Sequence, residues 1–140
     1  MVFRVFVSHS SIDTWVARQI ASHIEARGAA AFLDERDIPA GDDFLENVLN
    51  VEPRCGELLV LLTPWSIKRP YVLFEISCFT HSRKRIIGVT HGLSADDVAR
   101  DPYVGVLLGR RDLVDINRIE SYFEELHARI RAAAGGGTDE

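Results

Sequence analysis

The chain has 140 residues but little cysteine and no excess of basic charge. Its two cysteines, Cys55 and Cys78, form neither a metal-spaced pair nor a disulfide framework, which fits a reducing, cytoplasmic setting. The five histidines are scattered, with no ligand pair on one helical face, so no structural metal is expected. Sixteen Lys and Arg against 21 Asp and Glu leave a formal charge of -5. That excludes the basic footprint of a nucleic-acid-binding protein. No apolar run is long enough to span a bilayer, and Met1-Val2-Phe3-Arg4 lacks the charged-then-apolar layout of a leader peptide. What is present is an ordinary globular composition, 46% hydrophobic and 26% charged, in a chain of a length suited to one domain with one core.

Strand and helix signals alternate along the chain. Residues 2–8 read as the first strand, with the short apolar run Val5-Phe6-Val7 stopping at the polar turn Ser8-His9-Ser10-Ser11. Ile12, Val16, Ile20 and Ile24 then recur every four residues, predicting an amphipathic helix that ends at Gly28. Ser10 with Asp13 three positions later resembles a capping box with Asp in place of Glu. Residues 29–33 read as a second strand, followed by a polar loop from Asp34 to Asp43 and a short helix over 43–50. Leu58-Leu59-Val60-Leu61-Leu62 is the continuous apolar run of a central parallel strand. A helix over 71–82 and a strand over 85–90 follow. Ser94 is placed to cap a short helix through Arg100, with a fifth strand at either 104–108 or 112–115. Ile119, Tyr122, Phe123, Leu126 and Ile130 form one stripe of a last helix. The domain is expected over 1–134, with 135–140 as a disordered tail.

Such alternation implies an α/β fold: a flavodoxin-like three-layer sandwich around a five-stranded parallel sheet in the order 2-1-3-4-5. In that order the first and third strands are neighbours, and their carboxyl ends border the crevice where open α/β sheets bind ligands. The turn at Ser8–Ser11 and the segment Thr63–Pro70 are expected to face each other there.

Glu75 is the most unusual residue in this frame. In Tyr71-Val72-Leu73-Phe74-Glu75-Ile76-Ser77-Cys78-Phe79 it falls within an apolar arc of the helical wheel. Burying a charge without a partner is costly. Glu75 therefore either reaches solvent or a cation such as Lys68 or Arg69 at the helix rim, or is a functional carboxylate shown to the crevice.

Three segments resemble the TIR (Toll/interleukin-1 receptor) domain family over roughly Met1 to Ala132, in the manner of a bacterial stand-alone member. They are Phe6-Val7-Ser8-His9-Ser10-Ser11-Ile12-Asp13, the loop from Phe32 through Pro39 and Gly41 to Phe44 (similar to the family's BB loop), and Tyr71-Val72-Leu73-Phe74-Glu75. The third carries Tyr71 where many relatives have Trp. The resemblance implies one of two activities. Many TIR domains cleave the nicotinamide–ribose bond of NAD+, giving ADP-ribose or a cyclic ADP-ribose signal, and in those the glutamate matching Glu75 is essential. Others are adaptors that only self-associate. The implied substrate is NAD+, with no separate cofactor. The implied partners are further copies of the chain or another TIR protein, met through the loop Asp34 to Asp43, and a downstream effector in an anti-phage defence system. Neither nucleic acid nor membrane is expected as a partner.

Further substrate-contact candidates are Ser8, His9, Ser10, Asp34, Phe44, Trp65 and Tyr71. Ser8, His9 and Ser10 offer hydroxyls and amides at a helix start, although Ser10 also serves as a structural cap. Phe44 matches a family aromatic that stacks on substrate, and it equally suits a core position. Asp34 either lines the pocket or is simply solvated. Trp65 either stacks on a base or anchors its loop. Cys78 and His81 read as packing residues, and Arg83-Lys84-Arg85 as a solvated helix end. A phospho-receiver domain of the same sheet order is disfavoured, because Ser8-His9-Ser10 and Thr63 stand where a receiver needs acids.

Overall fold

A computed structural model of the chain describes residues 2–33 and 44–138, with side chains over 2–33 and 46–135. Five strands form the sheet: β1 (Arg4–Ser8), β2 (Ala30–Leu33), β3 (Glu57–Leu62), β4 (Arg85–Thr90) and β5 (Leu113–Asp115). All pair in parallel, in the order β2-β1-β3-β4-β5. The expected topology is therefore the one observed. Six helices accompany them among the described residues: α1 (Thr14–Ala26), α2 (Phe44–Val51), α3 (Pro70–His81), α4 (Ala95–Arg100), α5 (Val104–Leu108) and α6 (Glu120–Thr138).

The core divides into two faces because side chains alternate along a strand. Leu59 and Leu61 of β3 pack with Val5, Val7, Ile20, Ile24, Phe123 and Leu126 beneath α1 and α6. Leu58, Val60 and Leu62 pack on the other face with Phe6, Val72, Ile76, Phe79 and Leu108 beneath α3 and α5. Every residue of β3 is buried, as its unbroken apolar run requires of a strand covered on both sides.

Local differences from the expected pattern have physical causes. Residues spaced by four advance about 40° beyond a full helical turn at each step, so a long series of them rotates off one face. The buried arc of α1 is accordingly Ala17, Ile20, Ala21 and Ile24, while Val16 is half-buried and Ile12, in a 3-10 turn before the helix, is 56% exposed. Gly28 ends the turn after α1 at φ 95°, in the left-handed region open to glycine. Residues 104–108 form α5 rather than a strand, because the Asp101 carboxylate takes the Tyr103 and Val104 amides at 2.9 Å each and starts a helix there. The fifth strand is thus the 112–115 alternative. Ser94 caps α4 with a reciprocal bond from its own amide to Asp97. The backbone of α6 stays helical through Thr138, past the expected tail boundary at Gly135. Arg131-Ala132-Ala133-Ala134 are strong helix formers that carry the last helix into the glycines.

Among the described residues, no helix is long and apolar enough to cross a membrane.

Candidate active site

Two turns meet at the carboxyl ends of β1 and β3, neighbouring strands with Ser8 opposite Val60. After β1, the chain turns through His9 and Ser10 into a 3-10 turn at Ser11–Asp13. After β3, Thr63 and Ser66 close a tight turn. The Ser66 hydroxyl accepts the Thr63 amide at 2.9 Å and donates to the Leu61 carbonyl at 2.7 Å. The turns are joined by Asp13. One oxygen of its carboxylate accepts the Ser10 hydroxyl at 2.6 Å and the Thr63 hydroxyl at 2.7 Å. All four side chains are buried, so each hydroxyl needs such a partner. The expected facing of the two turns is therefore a hydrogen-bonded contact.

Asp13 corrects the capping-box reading. Its carboxylate makes no side-chain cap bond, and neither does Ser10. A helix cap would turn the acid toward amides of its own turn. Here the carboxylate points inward, because Thr63, 50 positions away in the turn after β3, offers a buried donor.

Glu75 lies in α3, which Pro70 opens at a position where a missing amide hydrogen costs no helical bond. The helix buries Val72, Glu75, Ile76 and Phe79. Glu75 is only 2% exposed, and the Ser8 hydroxyl donates to its Oε1 at 2.5 Å. Glu75 therefore does not reach bulk solvent. The bond fixes one carboxylate oxygen at the mouth of β1, and its short length is that of a charge-assisted contact.

His9 and Tyr71 complete the wall. The His9 Nδ1 lies 2.8 Å from the Ser10 carbonyl. A carbonyl can only accept, so this nitrogen carries the proton. The opposite nitrogen, Nε2, is buried with no hydrogen-bond partner among the described residues. Tyr71 is half-buried and donates its hydroxyl to the His9 carbonyl at 3.3 Å. Burial pushes the Tyr71 phenol above its ordinary range. Glu75 and Asp13 act in the same direction and Arg69 against them, so the hydroxyl keeps its proton and its role as donor.

The structure thus brings Ser8, His9, Ser10, Tyr71 and Glu75 together. Trp65 sits on the neighbouring turn with 48% of its surface exposed. Asp34 and the loop to Asp43 lie outside the described residues. Phe44 begins α2, but its side chain also lies outside them. Of the two residues read as packing, Cys78 is half-buried with its thiol pushed up chiefly by burial, then by Glu52 and Glu75. His81 is exposed, because it closes the last turn of α3 beyond the core-facing Phe79. Thr63 and Ser66 were not foreseen as parts of this network. A Thr-x-x-Ser spacing directly after a buried strand is the signal that could have revealed them.

Chemically, the cluster offers a water-shielded carboxylate held by a serine, with tyrosine and histidine alongside. Such an acid can stabilise an adjacent cation, because electrostatic interactions strengthen where water is excluded.

A family model described as TIR domain matches residues 5–130. No curated protein matches the chain. Several solved structures are similar. The TIR domain of the Toll-related receptor TRR-2 from Hydra magnipapillata is 20% identical, with 91% of this chain and 97% of that one covered and a TM-score of 0.65. A metazoan TIR-STING receptor from C. gigas, in complex with 2',3'-cGAMP, is 19% identical over 88% of this chain and 38% of that one, with a TM-score of 0.67. The TIR domains of the activated Roq1 resistosome, which recognises the pathogen effector XopQ, are 10% identical over 94% of this chain and 99% of that one, with a TM-score of 0.58. At these identities the likeness is one of fold.

Proposed function

The chain belongs to the TIR domain family, and from that premise we propose that it cleaves the nicotinamide–ribose bond of NAD+, with Glu75 as the catalytic carboxylate. The observation that carries this reading is the position of Glu75, which is 2% exposed, fixed by Ser8, and set at the crevice end of the sheet. In the reaction, the bond between the ribose anomeric carbon and the pyridinium nitrogen breaks. Its electron pair leaves with nicotinamide, which departs neutral and needs no general acid. The ribosyl centre left behind has oxocarbenium character, as in glycoside hydrolysis. The Glu75 carboxylate stabilises that positive charge and orients the sugar through the ribose hydroxyls. Water then attacks the anomeric carbon and loses a proton, giving ADP-ribose. Attack by an adenine nitrogen or a ribose hydroxyl of the same molecule gives a cyclic product instead. We extend this to a bacterial anti-phage defence role, with the product as a signal for a separate effector. That extension rests on the family resemblance alone.

A second reading, a docking module without catalysis, is favoured by a different observation. Ile12 lies on the turn after β1, Trp15 in the first turn of α1, and Trp65 on the turn after β3. Their exposures are 56%, 70% and 48%. Large exposed apolar side chains that follow two neighbouring strands suit a protein partner, either a second copy or another TIR protein.

The deciding experiment incubates the protein with NAD+ at high protein concentration, with and without a crowding agent, and measures nicotinamide release by mass spectrometry. Release that disappears in E75A supports catalysis. No release under any condition, or full activity in E75A, leaves the docking reading. That reading then requires substitutions at Pro39 and Gly41 to abolish partner binding while E75Q does not.

A further inference from the structure

The end of the sheet away from Glu75 carries a cavity of about 800 Å³, beneath the amino-terminal ends of β1, β3 and β4. That volume is typical of small-ligand sites and far exceeds the space of a bare inorganic ion. Parallel pairing aligns its charged residues. Val5 is opposite Glu57, which is opposite Arg85, so Arg85 at the start of β4 lies directly beside Glu57, and Arg4, one position before Val5, lines the cavity from the other face at the start of β1. Arg54 comes from the turn before β3, Lys84 precedes β4, and Arg129 projects from α6. Five cationic side chains and one acid, Glu57, are thus among the described lining residues, in a chain whose overall charge is -5.

The acid does not neutralise this group. Both Glu57 oxygens accept from Arg129 Nη2, at 2.8 and 2.9 Å, and one accepts the Tyr122 hydroxyl at 2.6 Å. Lys84 is tethered to the Glu52 carbonyl at 2.7 Å and lies 3.4 Å from that residue's carboxylate. Arg4, Arg54 and Arg85 have no side-chain hydrogen bond or ion pair among the described residues. Like charges gathered on a low-dielectric wall concentrate positive potential, and guanidinium forks match phosphate oxygens in pairs. The remaining wall is apolar and includes Phe3, Leu126 and Ile130. Gly56 lets the Phe3 ring lie flush on the backbone, since a Cβ there would come within 2.1 Å of the ring.

We propose that this cavity binds an organic phosphate of mononucleotide size. The phosphate is held by Arg4, Arg54 and Arg85, and the apolar body lies against Phe3, Leu126 and Ile130. The proposal does not depend on the NAD+ reading, because six residues of β3 separate the two ends of the sheet by roughly 20 Å. It also revises the view of Arg83-Lys84-Arg85 as a solvated helix end, since Lys84 and Arg85 line the cavity.

The test is a residue-resolved amide NMR titration with adenosine 5'-monophosphate, with inorganic phosphate as the comparison probe. It uses the wild-type chain, E75Q, and the charge reversal R54E/R85E. The expected result is saturable shifts at the Gly28, Gly56, Lys84 and Ala133 amides in both wild type and E75Q. R54E/R85E should bind at least tenfold more weakly, and inorganic phosphate should bind wild type at least tenfold more weakly than the nucleotide. Should the double reversal lose its dispersed spectrum, R85Q carries the same comparison, with an expected weakening of about threefold. Four results overturn the proposal: shifts confined to the Ser8 and Tyr71 end, shifts that do not saturate, equal binding by the folded charge variant, or phosphate binding as tight as the nucleotide. Loss of NAD+ cleavage in E75Q with these shifts retained separates this site from the other.

Discussion

Ser8 and Glu75 are 67 positions apart in the chain, yet the serine hydroxyl meets the carboxylate at 2.5 Å with both side chains out of water. The contact couples the exit of the first strand to the first half of a helix packed on the sheet face that Phe6 also joins. It also gives the two residues separable roles, one holding and one charged. E75Q retains an oxygen that can accept the serine hydroxyl but removes the charge. Nicotinamide release is expected to fall by about 10²- to 10³-fold, the scale of removing one preorganised electrostatic group. The thermal midpoint should move by no more than a few degrees. S8A keeps the charge but strips a donor from a buried acceptor, at a cost of about 1–3 kcal/mol in stability. Parallel rate and melting measurements on the two variants read out the difference. A rate in E75Q equal to wild type contradicts the assignment.

Asp13 takes two hydroxyls on one oxygen, from Ser10 and Thr63. D13A leaves both hydroxyls buried with no acceptor and should destabilise the chain by about 2–4 kcal/mol in urea unfolding, given the desolvation cost of each orphaned group. T63V removes one of these donors, and with it the acceptor of the Ser66 amide at 3.0 Å, while keeping the shape. The double variant should therefore lose less than the sum of the singles, by at least about 0.5 kcal/mol. Strict additivity would mean that the buried bond between the two turns contributes nothing to stability.

Cys55 gives the fold a dependence on alkaline pH. Burial pushes its thiol from 9.0 to about 11, against smaller opposing effects of Lys84 and Arg4. The folded chain holds this proton more tightly than the unfolded chain does. The resulting stability is complete below pH 9 and is lost as pH rises toward 11, at about 1.4 kcal/mol per pH unit. Urea unfolding under reducing conditions from pH 8 to 11 should show stability falling less steeply in C55A than in wild type. The comparison is between slopes, since the alanine also loses some packing at every pH. Parallel curves would contradict the shift.

Much of this arrangement could be read along the chain. The run Leu58–Leu62 has one physical solution, a strand covered on both faces, and it fixes the layers around it. Glu75 stood out because helical periodicity places it among residues that must be buried. Asp13 was misread for the opposite reason. Its spacing from Ser10 has a local explanation as a cap, whereas its true partner Thr63 arrives only when the sheet assembles. Val104-Gly105-Val106-Leu107-Leu108 was ambiguous because a short apolar run satisfies both periods, and the deciding cap at Asp101 lies outside the run. Arg4, Arg54 and Arg85 are far apart in sequence and look solvated one by one. Only the assembled sheet, with the turn that leads into its third strand, places them around one cavity.

Trp65 separates the two functional readings most economically. It is half exposed on the turn after the third strand, so W65A should change stability by less than about 0.5 kcal/mol, as exposed substitutions generally do. Any effect on function is then specific to contacts that the indole makes outside the core. If the ring stacks on the substrate base, KM for NAD+ should rise about tenfold or more at every protein concentration, the scale of one lost base–aromatic stack. If it belongs to a chain–chain contact, KM at high protein concentration should stay unchanged. Activity should instead fall more steeply on dilution, because association rather than substrate binding is weakened. Initial rates measured across a hundredfold range of protein concentration distinguish these outcomes. A variant indistinguishable from wild type in both would remove Trp65 from substrate stacking and chain–chain contact alike.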